Sequence, residues 1–153
     1  MTIVFDTTFT KVIENVSFGN LSSETLCDMF KNGSLFSHFA ERFIAENYGL
    51  KHVKGCKSYD FEDPADSNTK IDEKTFTGYG CKFMPSNMIG QGRSFNKELF
   101  DEKSKNMVYV IVSNINFPEI KIRFVRGSEL SVRYPNGVIP FKDHDKFFNN
   151  TVF

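Results

Sequence analysis

The sequence predicts an α/β or α+β fold, a mixed central β-sheet flanked by helices, and three observations predict it. In "SLFSHFAERFIAENYG" (34–49) Leu35, Phe36, Phe39, Phe43 and Ile44 recur at three- and four-residue spacing, which gives a helix one apolar face. From Leu50 to Phe83 the chain turns to short β-branched and aromatic stretches separated by "PADSNT" (64–69), the pattern of strands and a turn. "MVYVIV" (107–112) is apolar on both parities, as expected of a strand covered on both faces. Strands that alternate with helices bury their apolar sides by packing the helices on the sheet.

Taken in order, the first fifty residues read as helical. In "LSSETLCDMFKNG" (21–33) Ser22 or Ser23 is the N-cap and Gly33 the stop; Ser34 caps the next helix, which Asn47 to Gly49 end. "LKHVKGCKSYDFED" (50–63) and "KIDEKTFTGYGCKF" (70–83) supply two or three strands. The loop "MPSNMIGQGR" (84–93) leads to Ser94, the expected cap of a helix over "FNKELFDEKSK" (95–105), striped by Phe95, Leu99 and Phe100. After the buried strand, "EIKIRFVRG" (119–127) alternates Ile120, Ile122 and Phe124 with Lys121 and Arg123, and "LSVRYPNGVIP" (130–140) reads as a hairpin turning at Pro135, Asn136 and Gly137. The tail "FKDHDKFFNN" (141–150) reads as one short helical turn.

At 153 residues the chain is expected to form one domain, 1–153, with a core at about 35–126, an N-terminal helical segment 1–33 and a C-terminal hairpin 128–153. The 18 phenylalanines, in a chain without tryptophan, supply core bulk. Nineteen basic and nineteen acidic residues cancel, so no global positive field holds the protein on nucleic acid or anionic lipid; any such binding needs a local basic surface. Cys27, Cys56 and Cys81 leave an odd thiol and show no zinc spacing, which suits a reducing compartment. No apolar run reaches the roughly 18 residues of a membrane span, and "MTIVFDTTFTKV" lacks the plan of a signal peptide. The expected location is the cytoplasm, with no membrane partner.

An acidic residue, any residue, then lysine occurs three times: Asp72 to Lys74, Asp101 to Lys103 and Glu119 to Lys121. Asp101 and Lys103 fall in a predicted helix, where residues two apart diverge. Asp72 and Lys74 fall on a predicted strand, whose period of two puts both side chains on one face and Glu73 on the other. Such a face suits phosphodiester hydrolysis: carboxylates hold Mg²⁺ through hard oxygen ligands, and a lysine positions the water or stabilises charge on the phosphate. A further carboxylate is needed from the neighbouring strand. "YDFEDPAD" (59–66) offers Asp60, Glu62, Asp63 and Asp66; Asp63, at the strand end and nine residues before Asp72, is the first choice and Asp60 the second.

With these residues the chain resembles the PD-(D/E)xK endonuclease superfamily, which includes many type II restriction enzymes. The resemblance covers roughly residues 35–113: the helix at 35–47, "SYDFEDP", "KIDEKTFT", the helix at about 95–104 and "MVYVIV". It implies an αβββαβ core, here with extra C-terminal strands, and Mg²⁺-dependent DNA cleavage, with Mn²⁺ able to substitute. Asp63, Asp72 and Lys74 are the matching catalytic positions, with Asp63, Asp72 and Asp60 as the metal ligand candidates; Glu41 or Glu46 is the acidic residue a first helix sometimes adds. Two departures stand out. Glu73 occupies a middle position that is usually apolar, so it either replaces one of the carboxylates in catalysis or lies on an uncovered patch, and Asp63-Pro64 reverses the proline–aspartate order. "PEIKI" has the apolar middle residue but no upstream strand aspartate, and ranks second.

Around this centre, Gln91 and Arg93 precede a helix N-terminus where a DNA phosphate could sit, and Lys51, His52, Lys54 and Lys57 form a basic cluster that would contact the DNA backbone. "KDHDK" (142–146) reads as an exposed terminal turn, and His38, His52 and His144 show no neighbouring nucleophile pattern for a Ser or Cys hydrolase. The expected substrate is double-stranded DNA, cut by a two-fold homodimer. The alternative is a non-catalytic α+β module that binds protein or nucleic acid through the basic strand and the Phe-rich surface.

Overall fold

The computed structural model describes residues 3–55 and 58–149. Its frame is a six-stranded mixed sheet, as the sequence predicts, with α-helices packed on it. The elements run β1 (Thr8–Val12), α1 (Ser23–Met29), α2 (Gly33–Tyr48), β2 (Lys51–His52), β3 (Phe61–Asp63), β4 (Asp66–Phe76), β5 (Cys81–Lys82), α3 (Lys97–Lys105), β6 (Met107–Ser113), β7 (Glu119–Arg126), α4 (Gly127–Arg133), β8 (Val138–Ile139) and α5 (His144–Asn149). The order across the large sheet is β1-β7-β6-β4-β3-β2. β4 and β6 run parallel, joined by the crossover that contains α3, and the other neighbours are antiparallel.

β6 is central, and all seven of its residues are buried. Phe36, Ala40, Ile44 and Tyr48 of α2 pack on one side of the sheet with Ile71, Val110 and Val112. Phe100, Tyr109, Ile111, Val125, Leu130 and Phe147 fill the other side, under α3, α4 and α5. Asn32, not Ser34, caps α2, accepting the Ser34 and Leu35 N–H groups; the buried face of the helix runs through Phe36, Ala40, Ile44 and Tyr48, and Leu35 is exposed. Asn96 likewise replaces Ser94 as the cap of α3. Ser22 caps α1, as one of the two expected serines, but the helix ends before Gly33.

Two segments depart from expectation. The N-terminal segment is not wholly helical, because "TFTKV" forms edge strand β1 on β7; alternating Thr8, Thr10 and Val12 favour a strand once a partner is present. The C-terminal hairpin is replaced by α4, a turn, and β8, which pairs with β5 in a separate two-stranded sheet. Arg123, expected on the polar side of β7, is buried beneath α5, donates to the Phe147 carbonyl and lies 3.6 Å from Asp6.

The junction of β7 and α4 requires glycine. A Cβ at Gly127 would stand 2.3 Å from the Ser104 carbonyl oxygen and 2.8 Å from that of Met107, both backbone atoms that cannot swing away. Gly127→Ala is therefore expected to lose about 1–3 kcal/mol or more by forcing α4 off α3. Thermal unfolding checks it, and an unchanged midpoint would show that the two backbones have room to part.

Candidate functional site

The site lies where β3 stops short along β4. β3 pairs with only the first part of β4, through Phe61↔Ile71 and Glu62↔Lys70, so the edge of β4 beyond Ile71 opens into a cleft. This cleft, about 710 Å³, runs between the start of α2 and the turn after β4, and Glu41, Asp60, Glu73 and Lys74 line it.

Asp72 and Lys74 share a face of β4, as the period of two predicts, opposite Tyr109 and Ile111 of β6. Lys74 Nζ stands 3.1 Å from Asp72 Oδ2, and Asp72 is only 5 % exposed. Burial pulls the Lys74 ammonium down, but Asp72, Asp60 and Glu73 together outweigh it and hold Lys74 above its ordinary value. Lys74 is therefore held charged beside Asp72.

Asp60, the residue before β3, supplies the upstream carboxylate. Its Oδ2 accepts the Glu73 backbone N–H at 2.7 Å, which pins it across the edge of β4. Burial, the charge of Asp72 and a hydrogen bond to Asp72 push the Asp60 carboxyl up to about 7.

Asp63, the first choice from sequence, is elsewhere. It pairs with Asp66 at the closed end of the hairpin, and its Oδ1 accepts the Ala65 N–H at 2.9 Å. Six residues of strand separate Asp66 from Asp72, roughly 20 Å. A hairpin folds from its turn outward, so the acid nearest the turn on one strand faces the start of the next. Asp66 is likewise spent on the turn, accepting from Asn68 and Thr69.

Glu73 points to the other side of β4, as expected, but it is not on an uncovered patch. It is 5 % exposed, accepts the Thr75 hydroxyl at 3.0 Å, and burial raises its carboxyl well above the usual range. Glu41 of α2 faces the same cleft and is paired with His52, Nε2 to Oε2 being 2.9 Å. Glu46 lies more than a turn further along α2 and does not line the cleft.

Lys103 also reaches this centre. Its Nζ is 3.8 Å from Asp72 Oδ2, projecting from α3; burial, then Lys74, lower its ammonium, while Asp72 counters them. Within "DEK" at 101–103 the helical spacing does separate the two ends: Asp101 pairs with Lys97 while Lys103 turns toward the sheet. The missed signal was the lysine by itself, on the helix that crosses over between two parallel strands.

The expected DNA contacts fare differently. The Arg93 guanidinium donates to the Ser86 and Ile89 carbonyls and so closes its own loop, and Gln91 is exposed beside it, ahead of a helix that starts only at Lys97. Lys51 is exposed and pairs with Glu62, His52 pairs with Glu41, and Lys54 is exposed; Lys57 lies outside the described residues. Lys82, at the cleft, was not anticipated.

The hard oxygen donors of Asp60 and Asp72 fit Mg²⁺. Asp60 meets Asp72 at the edge of β4, and Mg²⁺ commonly uses one or two carboxylates, completing its shell with water and phosphate. Among the described residues no group of three or more His, Cys, Asp or Glu side chains is assembled for a metal.

One other constellation bears on chemistry. His144 Nδ1 is 2.9 Å from Asp145 and Nε2 is 2.9 Å from the Ser113 hydroxyl, the neighbour that sequence spacing did not reveal. Ser113 is buried, and the Phe76 and Phe148 rings pack edgewise or tilted on the imidazole, so the chain of bonds fastens α5 to the end of β6 and presents no nucleophile.

Comparison of the chain with protein-family models, with curated proteins and with solved structures returned no match. No helix among the described residues is long and apolar enough to cross a membrane.

Proposed function

We propose that the protein is a Mg²⁺-dependent DNA endonuclease of the PD-(D/E)xK type, hydrolysing phosphodiester bonds at Asp60, Asp72 and Lys74. The observation that carries this reading is the meeting of Asp60 with Asp72 beside the Lys74 ammonium, at a cleft edge. Supporting it is the order of elements around the large sheet: helix α2, strands β2, β3 and β4, then, after the short β5 of the small sheet, helix α3 and β6 parallel to β4. That is the αβββαβ order the resemblance implies.

In this reading Asp60 and Asp72 would hold the ion, which when bound supplies Lewis-acid polarisation of the phosphate and an acidified water. Lys74, kept charged by three carboxylates, stabilises negative charge growing on the phosphate oxygens and orients the attacking water. Lys103 adds a second cation at the same Asp72 oxygen. Glu41, paired with His52, and the buried Glu73 line the α2 side of the cleft. Double-stranded DNA is the substrate, and one centre per chain makes a two-fold homodimer the means of cutting both strands. The free thiols Cys27 and Cys81 suit the reducing cytoplasm.

The test is purified protein with plasmid and linear DNA in Mg²⁺, Mn²⁺ or chelator, with Lys74→Met alongside. Cleavage that needs the ion and falls about 10²- to 10³-fold in the variant is expected. Cleavage equal in parent and variant would remove the site.

A further inference from the structure

Beyond β4 the chain makes a two-residue turn, Thr77-Gly78-Tyr79-Gly80, closed by reciprocal Thr77 and Gly80 backbone hydrogen bonds of 3.0 Å each. The Thr77 hydroxyl accepts the Tyr79 N–H at 3.2 Å, which stiffens the tip. Gly80, at φ +92°, sits so close to the next segment that a Cβ would meet the Ile139 carbonyl oxygen at 2.6 Å. The turn is thus braced from behind. Its tyrosine is not: Tyr79 is 97 % exposed, more than any other large apolar or aromatic side chain among the described residues, and contributes nothing to either core.

Tyr79 borders the same cleft as Asp60 and Lys74, and Lys82 lies three residues on along the same wall. An aromatic ring with both faces in water, carried on a braced turn at the cleft that Lys82 also lines, has the properties of a base-stacking platform. We propose that Tyr79 stacks on an unpaired nucleobase of the strand being cut, with Lys82 on an adjoining phosphate. The proposal rests on the nuclease reading of the cleft and narrows its substrate to a strand with a base out of the duplex stack. That base comes from single-stranded DNA or is extruded from a duplex.

The absence of tryptophan from the sequence makes the test specific, because Tyr79→Trp installs a single reporter. The probes are a short fluorescein-labelled single strand, its fully paired duplex, and the duplex with one unpaired base, titrated without divalent ion so that nothing is cleaved. Tyr79→Ala should weaken binding about 5- to 100-fold, Tyr79→Phe should retain it, and the indole emission of Tyr79→Trp should be quenched on saturation. Being fully exposed, the residue can be changed without unfolding the chain. Quenching by the single strand and the unpaired-base duplex alone assigns the base to a pre-melted strand; quenching by the paired duplex as well assigns it to extrusion. Binding by Tyr79→Ala within two-fold of the parent, or unchanged emission at saturation, overturns the stacking role while cleavage by the parent still stands. Failure of the parent to bind any of the three probes overturns this proposal, and failure of the parent to cleave DNA in Mg²⁺ or Mn²⁺ overturns the nuclease reading on which it rests.

Discussion

Asp60→Asn is expected to abolish Mg²⁺-dependent cleavage while making the protein more stable at pH 8. The amide can still accept the Glu73 N–H, and its NH₂ can donate to Asp72 as the protonated acid does, so the fold keeps its contacts. What it loses is the negative charge that a divalent ion requires. The stability gain follows from linkage. A carboxyl raised to about 7 in the folded chain, from an ordinary 3.8, holds its proton across that interval while the unfolded chain releases it. The folded state therefore binds more protons, and stability declines as pH rises from about 4 to about 7, by on the order of 2–4 kcal/mol for this shift. Glu73, also raised by burial, slopes the same way. Thermal midpoints of the parent should fall between pH 5 and pH 8, and those of Asp60→Asn should fall less. Mg²⁺ should raise the parent's midpoint at pH 8 and leave that of the variant unmoved, since only a site that binds the ion gains from it. Asp63→Asn is the matched control. If it, rather than Asp60→Asn, lost the activity, the pairing of β3 with β4 described above would be wrong.

Phe61→Ala is expected to cost about 3–5 kcal/mol and to take the activity with it. β3 has three residues, and Phe61 is the one whose side chain is fully buried, on the α2 side of the sheet against the edge of the His52 ring. That ring burial fastens β3 to β4 and holds the peptide that carries Asp60. Removing it leaves a cavity beside Ile71 and frees the one acid that must meet Asp72. For a chain of this size the loss corresponds to a drop of roughly 6–20 °C in thermal midpoint. Activity measured well below the variant's own midpoint separates the two effects. Full activity there would mean that Asp60 is held by its Glu73 hydrogen bond alone.

Much of the frame could be read from local pattern. The α2 helix, the buried strand β6 and the helix α3 each announce themselves through a period and a run of apolar residues that hold wherever the segment packs. The β1 strand and the α4 helix could not be read so. β1 is a strand because β7 offers it an edge, and "GSELSVR" becomes a helix where Gly127 lets its backbone press on that of Ser104. Both choices belong to partners more than twenty residues away in the chain.

The same division runs through the site. Strand periodicity alone put Asp72 and Lys74 on one face and Glu73 on the other, because alternation is a property of the backbone. Which acid joins them was a matter of hairpin register: "YDFEDPAD" holds four candidates, and the turn at Asp63 to Asp66 carries Asp60, three residues earlier, to the level of Asp72. Lys103 and Tyr79 lie 31 and 7 residues beyond Asp72 in the sequence, with nothing local to mark either. A parallel crossover swings the first back over Asp72, and a braced turn sets the second at the mouth of the cleft. Sequence alone determined the chemistry available and the face it occupies. Tertiary structure decided which carboxylate, which second cation and which ring gather around it, since those depend on how strands far apart in the chain are aligned.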